Sequence, residues 1–514
     1  MSKNTILKGT LILTIAGLLT RVIGFFYKIF LSKALGAELL GIYQLVFPVY
    51  GVCFTVYASG IQTGISKMVA EEIGFGNYKG AKKVLWAGLS VSLTLACLLA
   101  VLMYQNAGFI AEKVLFEKDC ASSLQILAIA FPFCGITACI NGYYYGLKKA
   151  FIPATTQLVE QTIRVVAVYL IALKLGGGKV TATCELAVFG LVIGEIASNI
   201  YNIISLAFSK PEKEKNEDEV SSLSLSDKTT KEYYKGLGAI SLPLTANRLL
   251  LSILHSFEAI MIPTMLKSSG LSNAEALSVY GILTGMTLPF LMFPSTLTNS
   301  LSVLLLPTIS EANAKSNHSL IAKTVSITIK YSMILGIFST GLFMAFGTDL
   351  GNAVFHEPRA GTYLMILSWL CPFLYMATTL SSIINGLGKA HLTFINSILG
   401  TSCRILIMII LIPKLGITGY LISQLVSQLL ITFLDAFVVY KNVNAPFDAV
   451  NTILKPGIIT ACVSSFSYRF YLFLHAVTSF NNIILILGNC LFSAIIFLVL
   501  LSITKSIRYG EWKV

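Results

Sequence analysis

Long apolar runs recur along the whole chain and are separated by short polar segments. Each run is about 20 residues long, which is enough to cross the roughly 30 Å hydrocarbon core of a bilayer. The period-two alternation of a membrane β-barrel is absent from the runs. The pattern predicts fourteen transmembrane helices near residues 11–31, 40–62, 84–105, 121–145, 154–174, 185–208, 236–262, 277–303, 324–347, 361–384, 393–412, 417–440, 453–475 and 481–503.

The sequence also repeats itself. A shift of 240 residues brings together Gly41 with Gly281, Glu71 with Glu311, Pro132 with Pro372, Lys149 with Lys389, Arg164 with Arg404, the KLG at 174–176 with the KLG at 414–416, and Glu195 with Asp435. The only long polar segment lies between the copies and reads as a flexible charged linker. The predicted organisation is a six-helix repeat at 1–208, a linker at 209–235, a second six-helix repeat at 236–445, and two further transmembrane helices with a tail at 446–514.

The number of helices in each repeat fixes how the two copies are related. Six is even, so both repeats have the same topology and are related by an axis along the membrane normal. Transporters of this construction hold their substrate between the repeats and rock one against the other. The predicted fold is therefore an all-α polytopic membrane protein built for alternating access.

The distribution of basic residues predicts the orientation of the protein in the membrane. Lysine and arginine residues between the predicted spans concentrate on the side of the N-terminus, which predicts that both termini are cytoplasmic. The net charge is +13, but only 12% of residues are charged and no basic-aromatic motif is present, so we predict no nucleic-acid partner. The ten cysteines form no C-x-x-C pair and the five histidines have no ligand spacing. We therefore expect no metal and no cofactor.

Arg21, Arg164, Arg248 and Arg404 lie inside the first twelve predicted spans, and they form two repeat-related pairs. Arg21 is near the centre of the first span, where an arginine costs about 2.5–3.5 kcal/mol on insertion scales. A shift of 227 residues brings together Thr14 with Ser241, Arg21 with Arg248, and Lys28 with His255. Within each helix these positions are spaced i, i+7, i+14 and share one face.

Arg21 has no carboxylate in its own span. This favours a hydrated cationic cavity over pairing with acids elsewhere in the chain. Because a planar guanidinium suits bidentate phosphate contact, the expected substrate is anionic. The predicted substrate-binding residues are Arg21, Lys28, Arg248, His255, Thr14 and Ser241.

The other pair of arginines has acids nearby. Glu160 precedes Arg164 by four residues, a spacing that favours an ion pair on one helix. Glu195 and Asp435 follow on the next spans and are expected to meet Arg164 and Arg404, respectively. We favour a structural ion pair for this group, with substrate contact as the alternative.

Three segments carry a resemblance to a known family: TRVIGFFYKIFLSKALGAELLGIYQLVFP at 20–48, NRLLLSILHSFEAIMIP at 247–263 and LPTISEA at 306–312. They resemble the stage V sporulation protein B group of polysaccharide exporters, in the multidrug/oligosaccharidyl-lipid/polysaccharide superfamily. Thr20 to Phe25 is similar to the start of the murein lipid II flippases. Phe54 and Thr55 occupy the positions where those flippases carry an arginine pair, so a different mode of substrate binding is expected.

The resemblance implies a flippase in the bacterial cytoplasmic membrane. Its expected substrate is an undecaprenyl-pyrophosphate-type oligosaccharide, such as a lipid II-like peptidoglycan intermediate, for cell wall or spore cortex synthesis. Membrane lipid and an unidentified coupling ion are the other expected partners. The resemblance implies no enzymatic activity. The alternatives are a cation-coupled multidrug antiporter and a non-transporting membrane enzyme or scaffold of wall synthesis.

Overall fold

A computed structural model describes residues 3–176, 182–208, 229–478 and 480–507, with side chains from Ile15 onward except that of Leu304. These residues are helical almost throughout, and no β-strand occurs in the described ranges. The predicted all-α class is confirmed. Most of the predicted linker, residues 209–228, lies outside the described residues, as does the side chain of Thr14.

The chain divides into two compact units. The first comprises Met1–Tyr27 and Ile42–Met261, and the second comprises Lys28–Gly41 and Ile262–Val514. Two long helices, α1 (Lys3–Phe54) and α8 (Thr230–Ser268), have residues in both units. Within α1, Gly36 has a left-handed φ of 76°, which ends one helical stretch and starts another. The predicted repeat boundaries therefore remain a prediction, since the compact units divide the chain at other residues.

The remaining helices of the first unit follow in chain order. They are α2 (Gly60–Gly74), α3 (Tyr78–Gln105), α4 (Ala107–Phe109), α5 (Cys120–Gly146), α6 (Phe151–Leu175) and α7 (Cys184–Phe208), with π-helical turns at Thr55–Ser59 and Ile110–Val114. The helix α8 begins six residues before the predicted span at 236–262. Its first turns are polar, so hydropathy does not predict them as part of the span. Tyr233 in these turns is buried against α2 and α3, and this packing stabilises the start of the helix.

The second unit continues with shorter helices at first. They are α9 (Asn273–Gly281), α10 (Leu288–Met292), α11 (Ser295–Ala314), α12 (His318–Leu350), α13 (Pro358–Leu367), α14 (Cys371–Gly386), α15 (Ala390–Leu415), α16 (Ile417–Asn442), α17 (Lys455–Val477) and α18 (Asn482–Ile503). π-helical turns lie at Ile282–Thr287, Gly351–Phe355 and Val450–Leu454. The predicted span at 277–303 is interrupted at Phe293–Pro294, because proline cannot donate the helical hydrogen bond.

Twelve helical runs in the described ranges are long and apolar enough to cross a membrane. This confirms a multi-pass membrane protein. One run, Ile15–Gly74, contains the first two predicted spans, and α6, which carries Glu160 and Arg164, is not among the twelve. The number of fourteen spans therefore remains a prediction.

The internal repeat is visible in the backbone. Left-handed residues recur at the shift of 240, with Gly76 matching Ser316, Phe116 matching His356, and Lys148 matching Gly388. The N-terminal caps of α3 and α12 match as well, since Asn77 and Asn317 each accept a backbone N–H through the side chain. Turns and caps that coincide at one shift show that the two copies fold alike through these elements.

The shift changes after the KLG segments. Eight residues separate α6 from α7, whereas Gly416 alone separates α15 from α16. Asn199 donates to the carbonyl of Phe133, and in the second copy Thr432 donates to the carbonyl of Phe373. The structural counterpart of Asn199 is thus Thr432, a shift of 233.

The predicted match of Glu195 with Asp435 is wrong for this reason. At a shift of 233, Glu195 corresponds to Gln428, and Asp435 corresponds to Asn202. Thr156 donates to Asn202, just as Asn396 donates to Asp435. The buried acid of the first repeat therefore has a neutral counterpart in the second.

Candidate functional site

Arg21 lies on α1 with its side chain exposed. Among the described residues it has no hydrogen-bond or ion-pair partner. One turn later, Gly24 packs against α6, where a Cβ at Gly24 would come within 3.3 Å of Gln161 Nε2. The chain thus holds an arginine in the middle of a predicted span without neutralising it by a described carboxylate.

Arg248 lies on α8 and is held by the neighbouring π-helical turn. Its Nη1 donates to the carbonyl oxygen of Ser59 at 2.6 Å and to Ser59 Oγ at 2.8 Å. Ser59 is the last residue of the turn Thr55–Ser59, where the hydrogen-bond register of the helix changes. The side chain of Arg248 nevertheless remains exposed, and its other guanidinium nitrogens have no hydrogen-bond partner in the described parts of the chain.

A seam of small and hydroxyl side chains runs along the same face of α8. Thr245 packs against Gly60, and Ser241 packs against Gly64, where an added Cβ would lie 2.2 Å from Ser241 Oγ. Further along, Ser256 Oγ donates to the Pro48 carbonyl at 2.8 Å. Small residues let helices approach closely in membranes, so this seam fixes the position of Arg248.

The structure separates the predicted substrate-binding residues by environment. Ser241 is buried in the helix seam, and Lys28 is half-buried on α1. His255 is exposed, with Nδ1 3.8 Å from Glu258 Oε2. Arg248 and His255 are the exposed members of the stripe on α8. The substrate-binding role of the whole set remains a prediction.

A buried charged cluster lies between α6 and α7. Arg164 Nη2 contacts Glu160 Oε1, and their side chains are only 15% and 21% exposed. Glu195 on α7 is buried within electrostatic reach of Arg164, and its Oε2 has no hydrogen-bond partner among the described residues. Gly194 lets the helices meet here, because an added Cβ would lie 2.9 Å from the Glu160 carbonyl oxygen. The predicted contact between Glu160 and Arg164 is present.

In the second repeat the arginine and the acid each contact a neutral amide side chain. Arg404 Nη1 donates to Gln424 Oε1 at 2.6 Å, and Asn396 Nδ2 donates to Asp435 Oδ1 at 2.7 Å. Asp435 has no ion-pair partner among the described residues, so the expected contact with Arg404 is not made. The shorter connection between α15 and α16 places Gln424, rather than Asp435, level with Arg404.

Sequence reasoning missed the uncharged partners of these arginines. Ser59, Gln424 and Asn396 carry no charge, and a search for acids near arginines passes over them. The sequence signal for Gln424 and Asn396 was the presence of amide residues within apolar runs. No sequence signal marks the π-helical turn that presents Ser59.

No group of three or more histidine, cysteine, aspartate or glutamate residues suited to a metal ion occurs in the described ranges. The acids of the buried cluster number two, Glu160 and Glu195, and they share Arg164. Arg21 and Arg248 each present guanidinium donors that suit an anion.

Comparison with known families adds an independent observation. The family model described as "Polysaccharide biosynthesis protein" matches residues 6–313, more than half of the chain. The chain belongs to this polysaccharide biosynthesis family. Stage V sporulation protein B of Bacillus subtilis (strain 168) is 26% identical over 515 residues, covering 99% of this chain and 98% of that relative. Lipid II flippase MurJ of the same organism is 22% identical over 462 residues, covering 85% and 83%.

Solved structures show the fold that this family member shares. The inward closed conformation of lipid II flippase MurJ superposes with a TM-score of 0.65 at 14% identity, covering 96% of this chain and 98% of that chain. An inward-facing multidrug resistance MATE family transporter of the MOP superfamily gives 0.63 at 17% identity, covering 82% and 95%. The predicted superfamily fold is confirmed. These relatives and neighbours include a flippase and a transporter rather than an enzyme.

Proposed function

We propose that this protein moves a lipid-linked, pyrophosphate-bearing oligosaccharide precursor across the bacterial cytoplasmic membrane. The observation that carries the proposal is Arg21, an exposed guanidinium in the middle of a predicted span with no carboxylate partner among the described residues. Family membership and the two Bacillus subtilis relatives support a role in the synthesis of a cell-surface polysaccharide.

The physical argument starts from the cost of a charge at membrane depth. Arginine inside a bilayer is expensive, and such residues face water, a partner or a substrate. A guanidinium presents donors in a plane that matches two phosphate oxygens, and such charge-assisted bonds are stronger than neutral ones. Arg21 therefore suits recognition of a pyrophosphate that passes through the membrane plane.

Arg248 supports the same substrate class. Ser59 holds Nη1 with two hydrogen bonds, which restricts the long side chain before a substrate arrives. Fixing a side chain in advance lowers the entropy that binding must overcome. The guanidinium nitrogens that Ser59 does not contact are the donors that we assign to the substrate.

We further propose that both termini are cytoplasmic, so that the substrate is loaded from the inner leaflet and released on the outer one. The lysine-rich segments between spans support this orientation through the positive-inside rule. Alternating access transports the headgroup while the lipid tail stays in the bilayer.

The test is transport by the full chain in proteoliposomes. Dye-labelled lipid II is compared with an uncharged dye-labelled glycolipid and with a cationic dye such as ethidium. The proposal expects movement of lipid II only. Movement of the uncharged glycolipid at the same rate would refute phosphate recognition, and movement of ethidium alone would establish drug antiport instead.

A further inference from the structure

A second site lies at the end of the second unit where α12 begins and α18 ends. A cavity of about 610 Å³ opens there between the first turns of α12, the segment at 446–448, the π-helical turn Val450–Leu454 and Lys505. The residues that give it its chemistry are Lys323, Lys330, Lys505, Asp448, Asn451 and Phe447. None of them belongs to the arginine positions described above.

Hydrogen bonds join the walls of the cavity. Ser326 Oγ on α12 donates to the carbonyl of Pro446 at 2.7 Å. Lys455 Nζ donates to Asn451 Oδ1 at 2.8 Å and to the Thr504 carbonyl at 3.0 Å, which ties α17 to the end of α18. These bonds join α12 to the segment at 446–448, and the π-helical turn to α17 and to the end of α18.

Lys505 is placed by the way in which α18 ends. Its φ is 57°, and the next residue, Ser506, donates its backbone N–H to the Leu501 carbonyl at 2.9 Å. This is the pattern of a left-handed helix cap, which glycine usually occupies. A lysine at this position puts a cation where the chain leaves the helix.

The lining carries an excess of positive charge. The ionisable residues among the described part of the lining are three lysines and one aspartate. Asp448 accepts hydrogen bonds from the backbone N–H and the side-chain amide of Asn451, and these bonds hold the pKa of its carboxyl below the usual range. On this described lining the lysines outnumber the aspartate even when Asp448 is ionised.

Exposed apolar side chains belong to the same segment. Phe447 lines the cavity and is 55% exposed, and Val450 and Leu454, in the π-helical turn, are 49% and 57% exposed. Lysines next to exposed aromatic and aliphatic side chains at helix ends are typical of the membrane interface. A soluble anion gains nothing from such a surface, whereas a lipid uses both parts.

We propose that this cavity binds the phosphate of an anionic lipid, with Lys323, Lys330 and Lys505 on the phosphate and Phe447, Val450 and Leu454 against the acyl or prenyl chain. The compact charge of an ammonium group suits a phosphate without requiring a fixed bidentate geometry. An adjoining cavity of about 510 Å³ shares Ser319 and Ala322 with this one and gives room for a larger headgroup. The site does not depend on the proposed transport activity.

The experiment measures lipid binding to the detergent-solubilised full chain. Dye-labelled phosphatidylglycerol is titrated against the wild type, with dye-labelled phosphatidylcholine as the neutral comparison. The test variant carries Lys323→Gln, Lys330→Gln and Lys505→Gln. The matched control carries Lys79→Gln, Lys82→Gln and Lys231→Gln, which remove the same charge from lysines on the first unit.

The wild type should bind phosphatidylglycerol more tightly than phosphatidylcholine. The test variant should lose about 100-fold in affinity for phosphatidylglycerol, since each of the three interfacial lysines is worth about 1 kcal/mol, or about fivefold. A triple Lys→Arg variant at the same three positions should retain binding, which shows that the loss is not misfolding. The control variant should bind like the wild type.

Three results would overturn the proposal. They are equal affinity for the two lipids, an unchanged affinity in the test variant, and an equal loss in the control variant, which would indicate a general surface charge effect. Displacement of the labelled lipid by low millimolar inorganic phosphate or pyrophosphate would identify a site for free phosphate rather than for a lipid headgroup.

Discussion

The two repeats offer a matched pair of arginines with different surroundings. Arg164 contacts the carboxylate of Glu160 and lies near Glu195, whereas Arg404 donates to the neutral Gln424. We compare Arg164→Ala with Arg404→Ala. The first substitution leaves buried carboxylates without their cation, and the second leaves a polar amide without one hydrogen bond.

The expected cost of Arg164→Ala follows from the buried charge that loses its partner. The side chains of Glu160 and Arg164 are only 21% and 15% exposed. Removing one partner of a buried ion pair costs about 3–5 kcal/mol, because the remaining charge stays buried without compensation. We therefore expect Arg164→Ala to lower the free energy of unfolding by about 3 kcal/mol.

Arg404→Ala is expected to behave differently. A hydrogen bond between side chains in a membrane protein is worth about 0.6 kcal/mol on average and at most about 1.7. Gln424 carries no charge, so its burial without this hydrogen bond costs less than the burial of an unpaired carboxylate. The measurement is the free energy of unfolding of both variants and the wild type, by reversible titration with SDS in mixed micelles. Equal losses for the two variants would refute this reasoning.

Two further comparisons test the packing and the repeat. Gly41→Ala should destabilise the protein by about 3 kcal/mol or more, because its Cβ would lie 2.1 Å from the Leu277 carbonyl oxygen. Nothing lies within 4 Å of a Cβ at Gly17, so Gly17→Ala should stabilise the protein by up to about 1 kcal/mol. Equal thermal unfolding temperatures for the two variants would contradict this. Lys148 and Gly388 share a left-handed φ. Lys148→Gly should therefore stabilise the protein and Gly388→Ala should destabilise it, each by about 1 kcal/mol. Changes in thermal unfolding temperature of the same sign would count against the structural match.

Hydropathy was sufficient for most of the fold because each span must be apolar over a bilayer's width. The helices α15, α17 and α18 lie within a few residues of their predicted spans. The shift of 240 residues found in the sequence also holds in the structure, where left-handed turns and the caps Asn77 and Asn317 recur at the same spacing. Turns and caps follow the sequence repeat because their chemistry is local.

Long-range register was not accessible. Glu195 and Asp435 match in the sequence at a shift of 240, but the seven-residue difference between the two connecting segments moves α16 by two turns relative to α7. A constant shift between the two repeats before a loop does not determine the shift after the loop. The contact of Arg248 with Ser59 was equally hidden, since it depends on a π-helical turn in another helix.

The same limit applies to the start of α8. Residues 230–235 read as part of a polar linker, yet they are helical and bury Tyr233. A polar segment next to a membrane span extends the helix when one of its side chains finds a tertiary partner. Hydropathy reports the composition of that segment but not the tertiary contacts of its side chains.

The measurement that tests the central claim most directly is the rate of lipid II translocation in proteoliposomes by the wild type, Arg21→Ala and Arg21→Lys. Arg469→Ala serves as the control, because it removes an exposed arginine from α17. All variants are checked for an unchanged gel-filtration profile. We predict at least a tenfold loss for Arg21→Ala, a smaller loss for Arg21→Lys, which keeps the charge without the planar donors, and no change for Arg469→Ala. Translocation by Arg21→Ala at the wild-type rate would contradict the assignment of Arg21 to the pyrophosphate.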